Sequence, residues 1–496
     1  MRATVVFLGL AALAAAAALD PDPVVQTAME EWRVPGAAVA IVQGGSVVHV
    51  KGYGLRDAAA KLPVNTKTLF GIGSITKSFT VLTLQSLAEQ GKLDWDTPVR
   101  DYLSDFRLKD PVASEYATPL DLVTHRTGLP RHDSLWSGGA FSREDLYSRL
   151  RYLAPSRAFR STYQYNNLMF MTAGILASRL GGDTWENLVK TRIFVPAGMA
   201  ASLTSYAEAN GRENVAVAYA GPREKPRPRT VAETGRAVDS IGPAGAIQSN
   251  IEDMARYLML HIHRGVVNGH RVLPAARFAE METPRIPIPD SESAYGDGMS
   301  YGMGLFIGQH RGRKAVWHTG TWGGYHSLLW WLPEEKFGVA ILLNRAERAA
   351  PPVIALTLAD RYLDAPALDR IAERRQAEAE QLRKRREAAA RARRRRRKAT
   401  KPSRPIAEFE GTYTDPGYGD ARVSVEGEAI TVRVAGASTT YGHWHYDVFG
   451  TDGGDEDSEP RLARFASNTD GEVDTLAVSI EPAIDEVTFR RPHRVP

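Results

Sequence analysis

Residues 366–399 are rich in Ala, Glu, Gln, Arg and Lys and contain no Gly. Such a stretch favours one long helix, yet its apolar stripe is too thin to be buried. It cannot belong to a core, so this chain of 496 residues must pack on either side of it. A large unit before it and a small one after it are expected. The helix ends in six consecutive basic residues, Arg393–Lys398. These read as a solvated linker face; a patch for an anionic surface and a dibasic processing site are the sharper alternatives.

The charge of the chain is concentrated there. Between Asp369 and Arg404 stand 16 Lys+Arg and 5 Asp+Glu, a local +11 within a total of +4, which leaves −7 for the rest. The basic character is therefore no argument for nucleic-acid binding by the main body. Cysteine is absent, which excludes disulfides, thiolate nucleophiles and Cys-ligated zinc. The first 18 residues have one Arg, an apolar run and small residues before Asp20. That pattern is a secretory leader, and it makes secretion the expected location. No second apolar stretch of that length follows, so stable membrane insertion is not expected.

Along residues 19–364 the pattern alternates between strand and helix. Ala37–Val42 and Val47–Gly52 flank a Gly-rich turn and read as a hairpin, as do Ser327–Leu332 and Lys336–Leu343 around Pro333. Ser74–Gln90 reads as an amphipathic helix stopped by Gly91, and Ile251–His261 as another. Strands at both ends with helices between them suggest one mixed sheet whose terminal strands pair. After the charged 365–404 linker, residues 405–496 hold six short strand-like runs split by Gly, Asp and Asn, a small antiparallel barrel or sandwich.

Three short motifs carry chemistry, each weak alone. Ser74 and Lys77 stand three apart, on one helix face. A serine hydroxyl needs a base, and an amine serves as one only where desolvation or nearby positive charge lowers its pKa. The start of the helix aims the Ser74 backbone N–H outward, where it can hold an oxyanion. Tyr165-Asn166-Asn167 offers a phenol for proton transfer and an amide for orienting a substrate. His318-Thr319-Gly320-Thr321 lies at the end of an apolar strand, where Gly320 lets a ligand approach.

Together these resemble the serine β-lactamase and penicillin-binding-protein superfamily, whose signature is S-x-x-K, a Tyr/Ser-x-Asn element and a K/H-T-G strand. Leu122–Pro130, Gly245–Ser249 and Leu93-Asp94 with Pro98-Val99 resemble its supporting segments. The resemblance spans Val34 to Asn344. It implies an α/β (α+β) fold: an antiparallel sheet flanked by helices, with a helical subdomain. It also implies that Ser74 is the acylated nucleophile, Lys77 its proton acceptor and Tyr165 the acid/base. Asn167 orients substrate and lysine, and the Ser74 and Thr321 N–H groups form the oxyanion hole. The segment Thr400–Phe449 resembles the lipocalin-like β domain often appended to this class.

One position departs from many members. His318 stands where β-lactamases and DD-peptidases often carry Lys, so a fixed charge for a substrate carboxylate is missing. This shifts the expected small-molecule or peptide acyl substrate towards esters and amides, with transacylation open. A D-amino-acid peptidase or DD-carboxypeptidase, a weak β-lactamase and a silent binding protein stay as alternatives. No cofactor or metal is implied. His261 and His263 are expected to face solvent at a helix end rather than to bind zinc. Trp322 and Tyr325 are placed for substrate contact, while the paired Trp330 and Trp331 are expected to put one ring in the core and one outside.

Overall fold

The computed structural model describes residues 20–288, 294–451, 457–482 and 484–492. The expected leader lies outside the described residues. The chain divides into two compact units. One joins the chain up to Trp95 with Ala173–Arg374; the other joins Asp96–Thr172 with the chain from Arg375 onward.

The first unit is organised by a nine-stranded antiparallel sheet. Its strands are β1 (Gly36–Gln43), β2 (Ser46–Asp57), β3 (Leu62–Pro63), β4 (Ile286–Pro287), β5 (Asp297–Tyr301), β6 (Phe306–His310), β7 (Arg313–Trp322), β8 (Tyr325–Leu332) and β9 (Phe337–Leu343). The spatial order is β4-β5-β6-β7-β8-β9-β1-β2-β3. The first and last strands in sequence meet inside the sheet, Ala37 opposite Leu343 and Ala40 opposite Ala340. Their continuous apolar runs are those of strands covered on both faces. The Asp22–Glu31 and Ala350–Tyr362 helices supply one cover, around Trp32, Trp317, Trp330 and Phe337. The Ile251–Ile262 helix supplies the other.

Two-sided burial corrects three expectations. Trp330 and Trp331 are both fully buried, because β8 has no solvent face. Tyr325 is also buried, its hydroxyl donating to Ala216 O at 2.5 Å, so it lines no pocket. His261 does not face solvent; it is 1% exposed and surrounded by Tyr257, Phe278 and Trp331. The serine helix is likewise more central than an amphipathic pattern implies. It enters through a 3-10 turn, Gly73–Ile75, and its α-helical part, Thr76–Glu89, is buried from Thr76 to Leu87.

In the second unit, short helices over residues 96–172 accompany a closed barrel of eight strands. The strands are β10 (Gly411–Asp415), β11 (Gly419–Glu426), β12 (Ala429–Val434), β13 (Ala437–His445), β14 (Val448–Gly450), β15 (Leu462–Ser467), β16 (Val473–Val478) and β17 (Val487–Arg490). Six strand-like runs become eight strands for local reasons. Trp444–Phe449 is interrupted at Tyr446, which takes φ 48° and turns β13 into β14. Gly411–Asp415 adds the strand that pairs with β17 and closes the barrel. Phe409, Tyr413, Phe449 and Phe465 fill one end of the interior.

The charged helix runs from Arg370 to Arg394 with only Ala389 buried among its described residues. The basic run after it is not wholly solvated. Arg396 stacks over Trp444 at 5.0 Å and donates to the His443 and Trp444 carbonyls at 2.8 and 2.9 Å.

Candidate active site

In the first unit, the Phe70–Gly71 strand pairs with Gln248–Ser249 and delivers the chain to the 3-10 turn that carries Ser74. Gly73 takes φ +51°, a conformation that favours glycine, and reverses the chain so that the helix can start. Ser74 is half-buried and Lys77 fully buried. Lys77 Nζ donates to Ser74 Oγ at 3.0 Å and to Ala244 O at 2.8 Å. The second bond comes from the Gly242–Gly245 helix and fixes the amine against the hydroxyl. It is a partner that motif spacing did not reveal.

The turn is clamped to β7 and β8. Ser327 Oγ donates to Ile72 O at 2.7 Å, and Ile72 N donates to Ile247 O at 3.0 Å. Gly320 lies directly beneath, and any side chain there would strike the Ile72 carbonyl. The two-residue Gly323–Gly324 turn makes Trp322 and Tyr325 a hydrogen-bonded pair. Gly320 and Ser327 then form another, and Thr321 turns its N–H to the opposite edge of β7. The strand β6 pairs with β7 only as far as Trp317. Beyond that point the 3-10 turn packs against β7 instead, and Thr321 N lies 2.8 Å from where a Gly73 Cβ would sit. Two backbone N–H groups, of Ser74 and Thr321, thus belong to packed neighbours. Those of a first helical turn have no intrahelical partner.

His318 is 1% exposed. Its Nδ1 donates to Thr319 O at 2.6 Å, so Nε2 is the acceptor, and Tyr301 Oη donates to it at 3.0 Å. Burial first, then the nearby Lys77 charge, push its pKa down to about 3. His318 is therefore a neutral imidazole at physiological pH. Trp322 is half-buried, its indole N–H donating to Thr234 O at 3.0 Å. Ser74, Lys77, His318, Gly320, Thr321 and Trp322 all fall in this unit.

Tyr165 and Asn167 fall in the second unit, at the start of the Asn167–Gly181 helix. Asn166 caps it by accepting from Met169 N at 3.0 Å, and its amide donates to Leu129 O and Pro130 O. His125, buried at φ 59°, brackets Tyr165: its carbonyl accepts from Gln164 N at 2.8 Å and its Nδ1 from Asn166 N at 3.0 Å. The His125 and Tyr165 rings lie 4.4 Å apart. The Arg131 guanidinium stacks over Tyr165 at 4.8 Å, and Asn167 Nδ2 donates to Asp133 Oδ1 at 2.9 Å. Neither Arg131 nor Asp133 belongs to a recognisable motif. Among the described residues no cluster of His, Asp and Glu forms a metal site.

Comparison with known proteins agrees with this architecture. Residues 22–363 match the Beta-lactamase family, and residues 395–491 match a domain of unknown function (DUF3471). The chain belongs to the Beta-lactamase family and is a serine hydrolase. It is 30% identical to the unguisins hydrolase ungD′ of Aspergillus campestris, over 81% of this chain and 77% of that one. It is 28% identical to penicillin-binding protein 4 of Amycolatopsis lactamdurans, over 63% of this chain and 82% of the relative. Among solved structures, the octameric penicillin-binding protein homologue from Pyrococcus abyssi matches with a TM-score of 0.62 at 25% identity, covering 95% of this chain and 99% of that one.

Proposed function

We propose that this protein is a secreted hydrolase of ester or amide substrates that works through an acyl-enzyme on Ser74. The Ser74 Oγ to Lys77 Nζ distance of 3.0 Å, with the lysine fully buried, carries the reading. Lys77, in its neutral amine form, takes the Ser74 proton while Oγ bonds to the substrate carbonyl carbon, and the carbonyl electron pair moves onto oxygen. The Ser74 and Thr321 N–H groups hold that oxyanion. Collapse breaks the bond to the alcohol or amine, which leaves with a proton passed through Tyr165. Water, or another alcohol or amine in transacylation, then repeats the addition, and Ser74 regains its proton. Asn167 orients the acyl group.

The neutral His318 favours esters and amides over β-lactams, because no fixed cation stands at this position to meet a carboxylate. A fluorophosphonate probe should add mass to the peptide holding Ser74, and Ser74→Ala should abolish both labelling and turnover without lowering Tm. Equal labelling of Ser74→Ala overturns the assignment. A panel of p-nitrophenyl esters, D-amino-acid amides and nitrocefin ranks the substrates; fastest turnover of nitrocefin would sink the ester or amide reading.

A further inference from the structure

The barrel and the Tyr165 segment belong to one compact unit, and a chain of polar contacts joins them. It begins at Tyr165, whose ring face carries Arg131. Arg131 Nε donates to Asp133 Oδ2 at 2.5 Å. The other oxygen of Asp133 accepts from Asn167 Nδ2 at 2.9 Å and from Trp136 Nε1 at 2.8 Å. One carboxylate thus ties both Asn167 and the cation on Tyr165 to the same loop. That loop is held in turn by the barrel. Glu481 accepts from Asp133 N at 3.2 Å and from Ser134 N at 3.1 Å, one oxygen for each. Ser134 Oγ adds a third bond at 3.3 Å.

The seat is close on either side of Glu481. His132, at φ 49°, donates from Nε2 to Ala154 O at 3.1 Å and accepts at Nδ1 from Tyr418 Oη at 2.9 Å. Burial pushes the His132 pKa down to about 4, which keeps that acceptor unprotonated at neutral pH. A Cβ on Gly138 would come to 2.1 Å from Ala435 O, so backbone meets backbone there. Arg149 Nη1 donates to Gly417 O at 2.9 Å. The loop of Arg131 is therefore shaped by the barrel as much as by the helices around it.

We propose that Arg131 is a positioning residue for Tyr165, supplying a fixed cation against the phenol, and that the barrel keeps it there through Glu481. A guanidinium over a tyrosine ring is attracted by the ring face and favours the phenolate over the phenol. A tyrosine that must give up and retake a proton near neutral pH needs such a neighbour. Within this unit the charged groups facing Arg131 are Asp133 and Glu481, and the titratable groups facing Tyr165 are His125 and Tyr163. His125 accepts at Nδ1 from Asn166, so it is held as the neutral Nε2–H tautomer. Arg131 is then the fixed positive charge that this unit offers the phenol, and the appended domain has a role: it shapes the loop that brings it.

The inference rests on the proposed acid/base role of Tyr165, and the test separates the two. Full-length wild type, Tyr165→Phe, Arg131→Gln, Arg131→Lys and Glu481→Gln are assayed with a p-nitrophenyl ester, following kcat and KM across pH. Arg131→Gln should move the limb governed by Tyr165 to higher pH by about one to two units, the size expected for one partly screened charge at this distance. Arg131→Lys should restore most of that shift, and Glu481→Gln should give a smaller shift in the same direction with KM within about twofold, since it loosens the support without removing the cation. Full turnover by Tyr165→Phe overturns the acid/base role itself. An inactive Tyr165→Phe beside an unshifted, folded Arg131→Gln overturns the role of Arg131 alone. A shifted Arg131→Gln with a wild-type Glu481→Gln profile overturns the barrel's part. Arg131→Met, which keeps the stem and removes the charge, serves if Arg131→Gln fails to fold.

Discussion

A Cβ on Gly320 would come within 1.9 Å of the Ile72 carbonyl oxygen and 2.6 Å of Ser327 Oγ. The strand and the serine turn are therefore in backbone contact. Gly320→Ala must push the turn away from β7, and with it Ser74 and the Thr321 N–H. The substitution should cost about 1–3 kcal/mol of stability from overpacking. Activity should fall further than that, by about 100-fold or more, because a shift near 1 Å in a reacting group has this effect. Tm and kcat/KM on one ester substrate measure the two losses; a variant with near-normal kcat/KM would show that the contact does not hold the site.

The linker helix is fastened by Asp360. This carboxylate accepts from His310 Nε2 and Arg311 Nε, each at 2.9 Å, and pairs with Arg370 at the start of the charged helix. Its side chain is 5% exposed, and although burial opposes ionisation, the bonds from Arg311 and Arg370 hold its pKa below the usual carboxylate value. Asp360→Ala leaves the half-buried Arg370 without this carboxylate. We expect a loss of about 1–3 kcal/mol, the effect of removing a charged hydrogen-bond partner from cations that water still reaches. Denaturant midpoints at pH 7 measure it, and faster amide exchange over 370–374 should accompany the loss. A midpoint within experimental error of wild type would refute the anchoring role.

Much of this architecture is legible from local pattern. The hairpins β1-β2 and β8-β9 declare themselves because each turn carries Gly or Pro and both flanks are apolar. Pairing of β1 with β9 follows from strands at both ends of one domain. What stays hidden depends on residues distant in sequence. Nothing near Trp331 or His261 says that helices will cover both faces of the sheet. Ala244 meets Lys77 across 167 positions and Tyr301 meets His318 across 17, and neither carbonyl nor phenol belongs to a motif. Tyr446 breaks an apparent strand with a positive φ that tyrosine seldom adopts. Arg131 and Glu481, 350 residues apart, are joined by one loop that motif spacing gave no reason to single out.

His261 makes the sharpest pH prediction. It is fully enclosed by aromatic rings, and neither ring nitrogen has a hydrogen-bond partner. Burial alone pushes its pKa from 6.5 down to about 3. The unfolded chain binds this proton as pH falls through 6.5, while the folded chain refuses it until about 3, so stability is lost on acidification across that window. At about 1.4 kcal/mol per unit, His261 costs the fold about 2–3 kcal/mol by pH 4.5. Above pH 6.5 both states are neutral and this contribution vanishes. His261→Phe keeps the ring and removes two unpartnered nitrogens. It should stabilise the protein by about 1–2 kcal/mol at pH 7, since a buried polar group without a bond carries that penalty. Its advantage should grow by a further 2–3 kcal/mol or so at pH 4.5. Chemical denaturation of wild type and variant at the two pH values gives both numbers. A variant whose advantage does not grow on acidification would mean that His261 is protonated in the folded state and that the aromatic cage opens to solvent.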